Sequence, residues 1–289
     1  MIIQGITIKK TVASDFEKIY PLLVDFDSPY MRDDWKRIFY YQWDSAEDHV
    51  GYHLEKNTEI IGFMGLIFSC RNKNEVCYQF CNITSLIVKS EYRAATILLL
   101  RKLMGYPNTI FTGLGPIEES FRLLTLMGFV PFEDHYKIIP VINGLFFRKK
   151  NILVDESENA FHKLDAENKR IFLDHLHLKC KCIVFSYKNE NHLFIYGVTI
   201  QKHHHRSINK IHVHYVSDLT FLNKNIHEIL NIFRSRVGFF SALYIDKRLI
   251  SDKVYVFSLN KKISPPRIRN KNFIDKIEID SLYSEKVLL

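Results

Sequence analysis

Two stretches of this chain share one pattern. "WKRIFYYQWDSAEDHVGYHLEKNTEIIGFMGLIFS" (35–69) and "NKRIFLDHLHLKCKCIVFSYKNENHLFIYGVTIQ" (168–201) each place Lys-Arg-Ile-Phe on a helical period. Each then gives a strand, a polar turn ("EKNTE", "YKNENH") and a second strand. The segments after them also run in parallel. The first half continues with "VCYQFCNITSLIV" (76–88), read as a strand, "YRAATILLLRKLM" (92–104), read as a helix, and "NTIFTGLG" (108–115), read as a strand. The second half continues with "INKIHVHYV" (208–216), "NKNIHEILNIFRSRV" (223–237) and "GFFSALYID" (238–246) in the same order. A repeat of this length, offset by about 130 residues, points to two related domains. The expected division is 1–148 for the first domain, 149–262 for the second and 263–289 for a basic tail. The boundary falls near "FFRKKNILVDESENAF" (146–161). In the tail, Pro265-Pro266 is expected to stop any regular element.

Other elements fill in the first half. "GITIKKTVASDFEKIYPLLVDF" gives an alternating strand and then a helix, with Ser14 and Glu17 at capping-box spacing. "MRDDWKRIFYYQW" (31–43) reads as a second helix. "IEESFRLLTLMGF" (117–129) reads as an amphipathic helix with Gly128 as its C-cap, and "VPFEDHYKIIPVI" (130–142) as a pair of strands. Of the 289 residues, 47% are apolar, with 22 Phe and 15 Tyr, which is ample for packed cores and excludes a largely disordered chain. The five Cys are odd in number and scattered, so thiols are expected rather than a disulfide framework. No apolar run approaches about 18 residues without a charge, so no membrane span is expected. The N-terminal stretch has no leader pattern, and a cytoplasmic protein is expected. The net charge of +8 favours an anionic partner such as a nucleotide, a nucleic acid or a membrane surface, with plain solubility as the other reading.

One turn carries the chemistry. "SLIVKSEYRAATILLL" (85–100) ends a strand at Val88 and starts a helix near Arg93. A first helical turn exposes N–H groups and the positive end of the dipole, and Arg93 adds a planar, charged fork. Small side chains at Ala94, Ala95 and Thr96 let an anion approach the backbone, with the Thr96 hydroxyl as a further donor.

With this element order, "Val-Lys-Ser-Glu-Tyr-Arg" (88–93) resembles the approach to the pyrophosphate turn of the GNAT superfamily of acyl-CoA-dependent N-acyltransferases. The resemblance covers about 5–142 well and 165–250 faintly. It implies an α/β (α+β) fold: a GNAT-like mixed sheet flanked by helices, followed by a second, related and degenerate GNAT-like domain. It implies acetyl-CoA or another acyl-CoA as co-substrate. Leu86, Ile87 and Val88 would pair with pantetheine, and Arg93, Ala94, Ala95, Thr96, Ile97 and Leu98 would hold the pyrophosphate. The family's turn glycines would fall at Thr96 and Leu98. The Tyr that often serves as general acid would fall at Leu124, within "ESFRLLTLMGFVPFED" (119–134).

Candidates for the chemistry itself are Asn82 and Ser85 on the central strand, with Thr84 beside them, and Glu119 at a helix start. Glu118 and Glu119 also fit a plain dipole-stabilising role. Asp33, Asp34 and Trp35 fall where the superfamily often shapes its acceptor pocket. In the second domain "VSDLTFLNKNIHEIL" (216–230) has no Arg, and Asp218 would repel a pyrophosphate, so no CoA site is expected there. His203 to His205, with His212 and His214, suggest an imidazole cluster for zinc or nickel, but no carboxylate or Cys completes a set, and no metal is expected. Cys180 and Cys182 share a strand face without a second pair, as buried thiols do; Cys77 and Cys81 lie on the first domain's central strand. The basic tail, with Phe273 in it, matches no nucleic-acid motif, so nucleic acid is not an expected partner. The expected function is transfer of an acyl group to an amine on a small molecule or sugar. The rival is a non-catalytic binding or scaffold protein of the same fold, and a homodimer stays open.

Overall fold

Both Lys-Arg-Ile-Phe segments lie on short amphipathic helices and bury the same two side chains. In the computed structural model Ile38 and Phe39 are each 1% exposed, and Ile171 and Phe172 are 0% exposed. The preceding arginines stay on the helix surface, each paired with an acid one turn back: Arg37 with Asp34 at 3.4 Å and Arg170 with Glu167 at 3.0 Å. The structure describes residues 4–25, 30–41, 43, 47–73, 76–146, 151–203, 206–251, 255, 257–271 and 279–289. They form two units, the first of 1–132, 265–279 and 283–289, the second of 133–264 and 280–282. The divide at 132/133 lies upstream of the 148/149 boundary expected from composition.

The first unit opens with β1 (Ile6–Thr11), α1 (Phe16–Val24), α2 (Arg32–Tyr40), β2 (Gly51–Lys56), β3 (Glu59–Lys73) and β4 (Val76–Val88). It continues with α3 (Thr96–Leu100), β5 (Thr109–Gly113) and α4 (Glu118–Leu126). Strands β1 to β4 are antiparallel in sequence order, and β5 runs parallel to β4. The hairpin between β2 and β3 turns on Asn57 and Thr58, both at positive φ, as a two-residue turn matching the strand twist requires. Leu54, Met64, Leu66, Cys81, Leu99, Leu100 and Phe111 make the core against which α3 packs.

The second unit contains most of β6 (Val130–Pro140), then β7 (Leu153–Asp155), α5 (Ala166–His175), β8 (Lys181–Tyr187), β9 (Glu190–His203), β10 (Arg206–Val216), α6 (Leu219–Val237) and β11 (Ser241–Asp246). Strands β7 to β10 are antiparallel neighbours, β11 is parallel to β10, and β6 closes antiparallel on β11. Lys188 and Asn189 form the counterpart positive-φ turn. α6 buries Phe221, Ile229, Leu230 and Phe233 on the sheet. A 3-10 turn at Val141–Phe146 packs so closely on α6 that a side chain at Gly144 would meet the Asn231 nitrogen at 2.5 Å.

Residues 265–279 and 283–289 belong to the first unit. β12 (Leu259–Arg269) pairs antiparallel with β5 through Ile268 and Arg269, and α7 (Glu285–Leu288) comes after it. Arg37 Nη1 donates to Leu288 O at 3.4 Å, and Tyr283 packs edge-on against Trp43.

Several expectations are corrected. Pro265 and Pro266 lie inside β12, because the fixed proline φ suits an extended chain and the ladder to β5 begins only at Ile268. The helix expected over 92–104 is a 3-10 turn (Ser90–Ala95), the short α3 and a second 3-10 turn (Arg101–Gly105). Its path follows burial of Ala95, Leu99, Leu100 and Leu103 rather than one hydrogen-bond register. Ser14 caps nothing; Asp15 accepts from the Val12 N–H at 3.1 Å and starts a 3-10 turn ahead of α1. One strand, β6, stands where two were expected over 130–142, and Val141 and Ile142 already belong to the 3-10 turn. α6 begins at Leu219, earlier than expected, because Asp218 caps it. Cys70 and Cys77 are joined as a disulfide, where thiols were expected; Cys81, Cys180 and Cys182 are buried thiols. Among the described residues, no helix is long and apolar enough to cross a membrane.

Candidate functional site

The site begins with a mismatch in the strand ladder. Phe63 pairs with Ile87, but Gly65 pairs with Thr84, so one extra residue of β4 bulges out. Ser85 takes φ 51° there. Gly65 opposite is required by crowding: a β-carbon would meet Thr84 Cγ2 at 2.8 Å. On the other side of β4, the parallel ladder with β5 runs from Gln79↔Thr109 to Asn82↔Thr112 and stops. Beyond Asn82 the two strands part, and among the described residues no strand pairs with β4 on that edge from Ile83 to Val88. Its backbone donors and acceptors need other partners.

A groove of about 650 Å³ lies along this fork. Leu86, Ile87 and Val88 form one wall; Arg93, Ala94 and Thr96 come from the turn after β4; Ile117, Glu119, Ser120, Arg122 and Leu123 come from the start of α4. The structure therefore brings together Leu86, Ile87, Val88, Arg93, Ala94 and Thr96 of the expected donor set. It separates Ala95, Ile97 and Leu98 from them. Ala95 is buried in the core, Leu98 packs against that core, and Ile97 is exposed. A helical path points successive side chains in different directions, so a contiguous sequence run cannot all face one groove. The Thr96 hydroxyl donates to the Arg93 carbonyl at 2.8 Å and is committed there. Arg93 is exposed at the rim. Glu91, also exposed, folds onto its own N–H and the Ser90 hydroxyl, which holds its carboxyl below the usual range.

A smaller cavity of about 170 Å³ adjoins the groove; Leu86, Ile117 and Ser120 line both. Thr84 and Ser85 face it, their hydroxyl oxygens 3.3 Å apart. Trp35 and Tyr30 wall it, their rings edge to face at 5.6 Å. Leu124 lines it, at the position where the sequence resemblance implies a Tyr. Glu285 reaches it from α7. The residue is half-buried, but its Oε2 is fully enclosed and has no hydrogen-bond partner. Burial pushes this carboxyl above the usual range; the Lys286 charge, then a hydrogen bond from the residue's own N–H, then the Arg267 charge oppose the shift. Tyr30 is likewise pushed up, first by burial and then by Glu285 and Asp34.

Other expected residues have their own places. Asn82 lines neither cavity; its Nδ2 donates to Thr112 O and Oγ1 at 3.3 and 3.2 Å, fastening β4 to β5 just where they part. Glu119 is exposed on the groove, and Glu118 pairs with Arg122 at 3.1 Å. Asp33 is exposed, and Asp34 accepts from the Met31 N–H at 3.1 Å. His212 and His214 do not form a joint cluster: β10 bulges between Val213 and Tyr215, His212 Nε2 meets Thr199 Oγ1, and His214 Nδ1 meets Ser281 Oγ. The His203 side chain, His204, His205 and Phe273 lie outside the described residues. Burial pushes the Cys180 thiol up to about 12 and Cys182 higher still, so neither is a poised nucleophile.

Sequence reading missed Arg122, Ser120, Tyr30 and Glu285. Arg122 was hidden as half of an i,i+4 helix pair. Glu285 had one signal: the apolar Val287-Leu288-Leu289 resumes after a polar tail, as a segment that packs would.

The geometry has counterparts among known structures. A GCN5-related N-acetyltransferase from Anabaena variabilis superposes with a TM-score of 0.61 at 11% identity, covering 91% of this chain and 72% of that one. A putative acetyltransferase from Pyrococcus horikoshii does so at 0.54 and 16%, covering 97% and 95%. An Enterococcus faecalis protein described as a probable N-acyltransferase does so at 0.58 and 12%, covering 91% and 71%. The chain thus has the GNAT fold, a mixed sheet flanked by helices. No family model and no curated relative matches it.

Proposed function

We propose that the first unit is an acyl-CoA-dependent N-acyltransferase that acts on an amine of a small molecule. The observation that carries this reading is the fork between β4 and β5. It leaves an unpaired strand edge at Leu86 to Val88 facing a long, mainly apolar groove with guanidinium groups of Arg93 and Arg122 at its rim. An extended arm with amide groups can pair with such an edge as another strand would, and a diphosphate suits two guanidinium forks. The acyl donor, when bound, supplies an acyl group activated as a thioester. The residues here bind and orient it: β4 holds the arm, Ala94 keeps the turn open to the backbone, and the bulge at Ser85 aims the end of the arm into the smaller cavity. There the amine nitrogen attacks the thioester carbonyl, a C–N bond forms, the C–S bond breaks, and the amine proton passes to a base. No Tyr stands at Leu124 to protonate the leaving thiolate, which then takes its proton from solvent.

Thermal denaturation with CoA, acetyl-CoA and longer acyl-CoAs tests the donor site. At a hundredfold excess over its dissociation constant, a ligand should stabilise the protein by about 2.7 kcal/mol. Arg93→Ala should remove most of that gain. No stabilisation by any acyl-CoA refutes the enzyme and favours a scaffold of the same fold.

A further inference from the structure

We infer that the smaller cavity is the acceptor site, that it takes a small primary amine as its ammonium, and that Glu285 binds this ammonium and accepts its proton. The inference rests on the donor reading only for the transfer step; the amine site stands on its own geometry.

Glu285 is the sole carboxylate side chain among the described residues lining the cavity. Glu119, the acid expected from sequence, is exposed on the groove instead, where water already satisfies it. Glu285 Oε2 is enclosed and has no donor. A buried carboxylate oxygen without a partner is costly, and an ammonium supplies both the missing hydrogen bond and the opposite charge. Lys286, the residue's own N–H and Arg267 act on the carboxyl, but none of them hydrogen-bonds Oε2. Lys286 is exposed, its Nζ lying over Gly115, 3.1 Å from where a β-carbon there would stand. The rest of the cavity suits the same guest. Tyr30 and Trp35 present perpendicular rings, and aromatic surfaces favour a cation. Thr84 and Ser85 hydroxyls offer acceptors for the remaining N–H groups. About 170 Å³ is on the order of five to six water volumes, room for an amine head and a few methylenes.

The proton balance also fits. The guest enters as R–NH3+, passes one proton to the Glu285 carboxylate and attacks as R–NH2. The second proton leaves the nitrogen as the amide forms and goes to water, while the thiolate departs. A carboxyl raised above its ordinary range, as burial makes this one, is a better acceptor than a solvated glutamate.

The test uses the full chain. Trp35 lines the cavity, so intrinsic fluorescence reports occupancy. Titration with putrescine and with ethanolamine should give a saturable change, and propan-1-ol, matched in size but uncharged, should not. Glu285→Gln should weaken amine binding by about tenfold or more and slow acetyl transfer to putrescine, followed by mass, by about a hundredfold or more. Its stabilisation by acetyl-CoA should match wild type. The inference is overturned if wild type shows no saturable response to either amine, or if Glu285→Gln binds amines and turns over as wild type does. If no acyl-CoA binds but Glu285→Gln still loses the amines, the ammonium site is supported and the proton-transfer role falls with the donor reading.

Discussion

The two units build the same fork and then treat it in opposite ways. In both, a long antiparallel hairpin ends in a bulge, and the parallel ladder to the next strand stops just before it: at Asn82 in β4, at His212 in β10. In the first unit the bulge opens on cavities, and Lys89 at the head of the following turn lends no side-chain cap. In the second, His214 at the bulge is buried against Ser281, and the Ser281 N–H returns a 3.3 Å bond to the His214 carbonyl. The helix start is occupied too. Asp218 Oδ1 accepts from the Thr220 and Phe221 N–H groups at 2.7 and 3.0 Å. The groups that would greet an anion are thus already bonded to an anion of the chain itself. Two local fillings, one side chain at the turn and one at the fork, set the second frame apart from the first. We propose on this ground that the second unit is a degenerate copy of the first.

If the units are copies, matched positions should behave alike. Phe39→Ala and Phe172→Ala, in the two repeat helices and both fully buried, should each destabilise the protein by about 3–5 kcal/mol in denaturant unfolding. A loss confined to one of them would break the equivalence. Asp218→Ala should cost about 1 kcal/mol through the lost cap. Calorimetric titration of that variant with acetyl-CoA tests the rest: the stoichiometry should stay at the wild-type value, because Ser281 still fills the fork. A second equivalent would mean that the carboxylate alone silences the copy. The smallest effect concerns the open site. Glu285 has a folded-state carboxyl pKa above its unfolded one, so its ionised form costs stability above the folded value. That cost vanishes as pH falls below the ordinary carboxylate range. Glu285→Gln should therefore melt slightly higher than wild type at neutral pH, with the gain fading toward about pH 4. A variant that melts lower at neutral pH would show that the carboxylate is not penalised by its cavity.

Much of this frame was legible in the amino-acid order. The positive-φ turns at Asn57-Thr58 and Lys188-Asn189, the repeat helices and the strand before Tyr92-Arg93 follow from local chemistry. The groove wall at Leu86 to Val88 followed from resemblance, and its opening depends on where the parallel ladder stops, which no single segment encodes. The misplaced residues have one cause each. Ala95 and Leu98 turn inward because the core takes them. Asn82, polar and central, looked chemical but fastens a strand junction. Glu285 was out of reach because its role depends on contacts made far along the chain. Arg267 and Arg269, read as part of a basic tail, belong to a strand that pairs with β5.

That last strand has a consequence for how the protein is made. Asn270 Nδ2 donates to the Thr109 carbonyl, a contact across 161 positions. On the ribosome, at about 5–20 residues per second, β5 waits on the order of ten to thirty seconds for its neighbour. Throughout that interval its outer edge presents bare N–H and C=O groups, the kind of surface that recruits strands from other nascent chains. A fragment ending before Ile268 never leaves that interval. The groove is encoded entirely before residue 124, yet the strand that covers β5 emerges more than 140 residues later, so the newborn protein carries an unfinished first unit that its folding machinery must shelter in the meantime.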